Sequence, residues 1–313
     1  MIEAGGLTAF LAASDVMRTF APFVLALLAA GVFAGLVAGM FGIGGGFVVV
    51  PALAAVFTAF APDGGDQDRI MHVAVGTSLA TILFTSLRAV QAHAKRGAVD
   101  FEILKGWTLW VALGVTLGVA LADHLDGQAL KVIFGVGVLL MGLHFLFPIL
   151  GRDPPQTESL PRGGVRAALG GGLGAFSALL GIGGGTPAVL IMTMGGVAMH
   201  RAVATAAGFG AVIAVPGAIG NMIIGYGEPG LPPGSIGFVN VIALAAIVAT
   251  SMITAPIGVA AAHSLNAALL KRCFGVYLLF TAGLMLHDAG PFALPGFDRA
   301  ASVAHAAPPI DPT

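Results

Sequence analysis

Residues 35–53 read GLVAGMFGIGGGFVVVPAL, and residues 174–190 read GAFSALLGIGGGTPAVL. Gly42-Ile43-Gly44-Gly45-Gly46 thus returns as Gly181-Ile182-Gly183-Gly184-Gly185. The small residues ahead of it return too, Gly31, Gly35 and Gly39 matching Gly170, Gly174 and Ala178. Further along, HVAVGT (72–77) matches HRAVAT (200–205), and KVIFGV (131–136) matches KRCFGV (271–276). Matches kept in one order across the whole chain mark an internal duplication. The halves are 20–150 and 165–288, preceded by an N-terminal segment, 1–19, and joined by a polar, proline-containing linker, 151–164. The Ala- and Pro-rich end, 289–313, is expected to be disordered.

The medium each half folds in follows from composition. The 313 residues are 57% hydrophobic and 9% charged, with a mean hydropathy of +0.97. Soluble proteins carry about 25% charged residues, so the surface must face lipid. At about 20 apolar residues per crossing, the length allows roughly six to ten spans and no separate soluble domain. A net charge of −1 gives no basis for nucleic-acid binding. The lone Cys273 excludes an intramolecular disulfide and a cysteine metal cage, and reads as a packing residue. The opening MIEAGG carries an acid where a signal peptide is basic, so no cleavable signal is expected.

Each half repeats one order of helices. An apolar helix (23–40; 165–180) stops at the glycines, and a shorter one (47–60; 186–197) follows. Three long crossings come next: 71–94, 104–122 and 130–150, then 202–224, 236–262 and 268–286. The expected fold is therefore all-α and polytopic, with two repeats, each a glycine-broken helical hairpin plus three long crossings. A hairpin that returns to its own side leaves three net crossings per half, and an odd number inverts the second repeat. That reading puts Lys95, Arg96, Lys105, Arg152, Arg162, Arg166, Arg201, Lys271 and Arg272 inside, and Arg18, Arg69, Lys131 and Arg299 outside, nine against four. A single broken crossing in place of each hairpin gives parallel repeats and divides the same residues eight to five. The rule that cytoplasmic loops are rich in Lys and Arg favours inversion.

Consecutive glycines break a helix, each costing about 1 kcal/mol relative to alanine. At membrane depth, broken backbone persists only where protein or a wet cavity satisfies it. The helix that restarts presents free amides and the positive end of its dipole, which suits an anion. Gly44, Gly45, Gly46 and Phe47, with Gly183, Gly184, Gly185 and Thr186, are therefore candidate substrate contacts. Close helix packing accounts for the ladder at Gly31, Gly35 and Gly39 and is the competing account of the clusters.

In the crossing 71–94, Thr77, Thr81, Thr85, Arg88 and Gln91 fall on one helical face, with Ser78 at its edge. The matching face of the second half reads Thr205, Phe209, Ile213, Pro216 and Ile219, so the polar stripe is one-sided. Thr77, Ser78, Arg88 and Thr205 are candidate substrate contacts, and Thr81, Thr85 and Gln91 candidate path residues. The competing account is hydroxyls bonded back to their own helix, with Arg88 snorkelling to the surface. His72, His93 and His200 are candidates for proton coupling, against capping or interfacial packing.

No carboxylate lies in mid-span, so the usual proton relay or sodium site is missing. No catalytic triad, metal-ligand cluster or phosphate loop occurs either, and no enzyme activity or cofactor is expected. The glycine run lies between membrane helices, so it is not a dinucleotide fingerprint.

With GLVAGMFGIGGGFVVVPAL, its copy, VGTSLAT (75–81) and HAKRGAVDF (93–101), the chain resembles the sulfite exporter TauE/SafE family over 25–287. The resemblance implies a multi-pass permease of the bacterial inner membrane that carries sulfite, sulfoacetate or another organosulfonate. The chain departs from the pattern at Ala206, where the first half has Ser78, and at Thr186-Pro187 after the second cluster. The expected partners are the bilayer and a small anionic substrate. A passive anion channel and a non-transporting assembly protein are the alternatives.

Overall fold

The computed structural model describes residues 3–41, 44–60, 67–147, 158–264 and 267–288. Gly42, Ile43, much of the linker and the tail 289–313 lie outside them. Ten helices carry the described residues: α1 (Glu3–Phe41), α2 (Gly46–Phe60), α3 (Gln67–Ala94), α4 (Phe101–Ala122) and α5 (Gly127–Leu146), then α6 (Gly163–Leu180), α7 (Gly185–Met194), α8 (Met199–Ile224), α9 (Val241–Ser264) and α10 (Ala267–Asp288). Seven of them hold a stretch long and apolar enough to span a bilayer. The outer surface suits hydrocarbon: Leu109, Leu113, Leu117 and Leu121 form an exposed row along α4 at a spacing of four. This is an all-helical, polytopic membrane protein.

Local chemistry sets the helix ends. Asp100 accepts the amides of Glu102 and Ile103 at the start of α4, and Asp126 that of Ala129 at the start of α5, each satisfying donors the helix leaves open. At the end of α6, Gly181 turns left-handed (φ 63°). Its amide donates to Ala178 O and that of Ile182 to Ser177 O, a Schellman stop. Several expected boundaries move: the first helix, expected from residue 23, begins at Glu3, and the fifth, expected to reach 150, ends at Leu146. The crossing expected from Ile236 begins at Val241, because Ser235–Ile236 pairs with Val239–Asn240 in a two-residue ribbon. Left-handed Gly234 and Gly237 turn the chain there, and Asn240 then caps α9 by accepting the Ala243 amide. The short helix expected to reach Val197 ends at Met194, where Gly195-Gly196 stops it.

The first two helices of each half double back. The Phe23 ring on α1 lies 6.2 Å from Phe57 and 5.5 Å from Phe60, at the far end of α2. In the second half, the Ser159 amide, just before α6, donates to Gly195 O at the end of α7.

The halves interlock. α1 packs on α9 of the other repeat, and its counterpart α6 packs on α4, the counterpart of α9. A Cβ on Gly35 would stand 2.6 Å from Ser251 Cα, and one on Gly174 2.1 Å from Val111 O, so these seams close only on small residues. Residue order along the seams gives the directions. Gly31 meets Ile247 and Gly35 meets Ser251, while Gly170 meets Trp110 and Gly118 meets Ala175, so both of these pairs run parallel. Gly76 meets Asn221, Gly217 meets Leu79 and Gly210 meets Ser86, so α3 and α8 run antiparallel. Gly135 meets Leu286 and Gly275 meets Leu146, so α5 and α10 do too. At the centre stand α3 and α8, whose spans are 83% and 67% buried, against 33% for α1, α4 and α6.

Candidate functional site

The tips of the two hairpins meet. A Cβ built on Gly44 would stand 3.7 Å from Gly183 Cα, and one on Gly46 only 2.5 Å from Gly181 O. Gly44, Gly45 and Gly184 are left-handed, with φ of 75°, 80° and 66°, a region side chains rarely enter. Gly184 caps α7 without a side chain, so the first amides of that helix, Gly185 and Thr186, receive no capping acceptor. Phe47 and the second cluster, Gly183 to Thr186, are buried.

A cavity of about 260 Å³ starts at this meeting point. Gly44, Thr85 and Ser86 form its deep end, with Ala38 and Ala207 beside them. Arg88 and Gln91 line it further out, and Lys95 and Arg96 stand at its mouth. All four of these side chains are exposed, and among the described residues no Asp or Glu lines the cavity. Three cations without a lining carboxylate make a positive entrance, an arrangement that concentrates anions. Counted from the Thr77–Thr205 match, the places of Arg88, Gln91 and Lys95 fall on Pro216, Ile219 and Ile223 in α8. Ile219 and Ile223 are exposed on the outer surface there, while the neighbouring glycines pack inward, a Cβ on Gly217 coming within 3.0 Å of Leu79 and one on Gly220 within 2.8 Å of Val119.

The hydroxyls of the polar stripe divide into two sets. Thr77 Oγ1 accepts the Asn240 amide at 2.9 Å, and its repeat mate Thr205 Oγ1 accepts the Asp100 amide at 2.9 Å. Each threonine therefore ties its own repeat to the cap of a helix in the other, and neither lines the cavity. Thr81 donates to Thr77 O within its helix. Ser78 donates to Gly181 O at 2.7 Å, joining α3 to the second cluster. Thr85 Oγ1 lies 3.2 Å from Ile82 O and 3.4 Å from Gly44 O. Ser86 and Ser177 lie outside the polar stripe that the spacing marks. Their hydroxyls and that of Thr186 are buried without a hydrogen-bond partner. The only sequence signal for Ser86 was its place beside Thr85, one position off the polar face.

His72 and His93 stand apart from the cavity lining. His72 Nε2 donates to Ala122 O at 3.1 Å, and its ring lies 4.9 Å from that of Phe238. His93 is half-buried near the end of α3. His200 lies in the first turn of α8, and its side chain is outside the described residues. Arg201 beside it pairs with Asp100 at 3.4 Å and with Glu158, linking the starts of α4, α6 and α8. At the other end of the molecule Arg69 pairs with Glu228. Among the described residues no group of His, Cys, Asp and Glu is arranged to hold a metal.

Spanning helices around a cavity that opens at one end and carries Thr85, Ser86 and Arg88 in its lining fit a membrane transporter. The chain belongs to the sulfite exporter TauE/SafE family, whose model matches residues 27–285. It is similar to a probable membrane transporter protein of Haemophilus influenzae, 31% identical over 261 residues, covering 83% of this chain and 97% of that one. A probable membrane transporter protein of Bacillus subtilis is 27% identical over 220 residues, covering 64% of this chain and 78% of that one. No solved structure shows a significant match.

Proposed function

We propose that the protein is a secondary transporter of a small sulfur-containing oxyanion, sulfite or an organosulfonate, working by alternating access between inverted repeats. The observation that carries this reading is the contact between the two glycine clusters at the closed end of a cation-lined cavity. Inversion is supported by the hairpins and by the antiparallel pairing of counterparts. A two-fold axis along the helices makes counterparts parallel, whereas one lying in the membrane makes α3 oppose α8 and α5 oppose α10. Lys95, Arg96, Lys105, Arg162, Arg166 and Arg201 then share one end, which the positive-inside rule makes cytoplasmic.

The anion enters from that end, drawn by Arg88, Lys95 and Arg96. It exchanges water for the amides at the starts of α2 and α7, a placement that inverted-repeat transporters reuse. Thr77, Ser78 and Thr205 hold the frame around it. Toward the other end, Gly181 packs against Val50 and Val75, so access is one-sided in this state. Reopening on that side follows from one repeat moving against the other.

Purified protein in liposomes tests the reading with labelled methanesulfonate and sulfite. A saturable flux that accumulates substrate against its gradient when a second ion gradient is imposed is the expected result. Flux that only dissipates a gradient identifies a channel, and the absence of any flux sets the transport reading aside.

A further inference from the structure

The buried end of the cavity differs in kind from its mouth. Ser86 is 2% exposed, Ser177 0% and Thr186 6%, and none of their hydroxyls has a partner. Ser86 Oγ lies 3.6 Å from a Cβ position on Gly44 and 2.2 Å from one on Gly210, which itself lies beside Gly183. It therefore sits where the two clusters meet. Ser177 Oγ lies 3.0 Å from a Cβ position on Gly184, on the second cluster. Buried hydroxyls are nearly always bonded, and unpaired ones call for an explanation. Here all three flank the broken backbone, and Ser86 is the one that lines the cavity.

No buried charge accompanies them among the described residues. Among the described residues the only buried ionisable side chains are His72 and Lys131. His72 is bonded to Ala122 O, at the far end of α4 from Asp100. Lys131 is in the second turn of α5, close to its cap Asp126. The cations at the mouth are exposed and act through water. An anion that reaches Ser86 therefore gives up hydration for buried donors that are neutral, while Arg88, which lines the same cavity, stays exposed. The Born cost of that transfer grows with the square of the charge, so a dianion loses roughly four times as much as a monoanion of equal size. Hydroxyls and amides return a similar number of hydrogen bonds to either.

We propose that this neutral inner site selects singly charged oxyanions, of the sulfonate and hydrogensulfite type, over dianions such as sulfate, and that Ser86 is the specificity-determining hydroxyl. The inference rests on the transporter reading above and adds the charge of the substrate and a residue that binds it. Ser86 donates its hydrogen to one oxygen of the anion at the junction of the repeats. Ala214 takes the matching place in the second half, so the first half supplies this hydroxyl alone.

Ser86→Ala in the full-length protein is the test. The wild-type hydroxyl bonds nothing in the protein, and alanine is the better helix former, so the variant should melt in detergent at or above the wild-type temperature. In liposomes the half-saturating methanesulfonate concentration should rise about tenfold, the worth of one hydrogen bond to a charged group. Sulfate should compete with labelled methanesulfonate in the wild type at least tenfold more weakly than unlabelled methanesulfonate does. Unchanged half-saturation in a folded Ser86→Ala protein, or sulfate competing equally well, overturns this inference and leaves the transporter reading standing. A wild type that carries neither ion removes both.

Discussion

Adding one methyl group between the clusters separates the site from the fold. Gly183 has no left-handed φ, so alanine fits its backbone. The new Cβ would stand 2.9 Å from Ile82 Cγ2, 3.5 Å from Gly210 Cα and 3.8 Å from Gly44 Cα. Only the first contact is too close, falling about 0.5 Å short of ordinary carbon packing near 3.4 Å. The atom that must give is the end of a side chain, and tilting a buried rotamer costs about 0.5–1.5 kcal/mol. Gly183→Ala should therefore lose about 1 kcal/mol of stability and remain monodisperse. Its methyl nevertheless fills the crevice that the two clusters frame. An oxyanion held there loses at least one charge-assisted hydrogen bond, worth about 1.5–3 kcal/mol, so methanesulfonate flux should fall about 10- to 100-fold at sub-saturating concentration. Gly184→Ala is the contrasting variant. It meets Ile213 Cδ1 at 2.4 Å and keeps φ at +66°, so left-handed strain of about 1–2 kcal/mol and overpacking of about 1–3 kcal/mol should show as a lower melting temperature. A Gly183→Ala protein with wild-type flux would refute the reasoning, because the substrate then has no need of the space between the clusters.

Two further outcomes follow from the geometry. Replacing Arg88, Lys95 and Arg96 together by Gln should raise the half-saturating concentration several-fold at low salt. The difference should fade as added salt shortens the screening length below about 10 Å, and an effect independent of salt would deny the mouth its steering role. Thr77→Val and Thr205→Val should each cost about 1–3 kcal/mol of stability by leaving the Asn240 or Asp100 amide unpaired, with methanesulfonate and sulfate retaining their relative potencies. A change in that preference without loss of stability would move these threonines from the frame to the substrate.

Much of the fold was legible because lipid allows few solutions. Apolar runs bounded by glycine, proline and charge gave the helices, and the duplicated GIGGG run gave the hairpins. The ribbon at 235–240 escaped because Ile236, Phe238 and Val239 are apolar and continue the hydropathy of α9, whereas Gly234 and Gly237 decide the backbone. The two clusters that meet were legible as a pair, since the same glycine run holds the same place in each half. The division of labour among the hydroxyls was not. Thr77 and Ser86 look alike as letters, and only the position of Asn240 in the other repeat decides that one is bonded and the other is not. Lys95 and Arg96 read as ordinary loop cations until the cavity opened between them and Gly44.

A structure determined with methanesulfonate bound tests the central claim most directly. The sulfonate is expected beside Ser86, with its oxygens toward the amides that begin α2 and α7 and with Gly44 and Gly183 on either side. A sulfonate seated on one repeat alone, remote from the junction of the two clusters, contradicts the account.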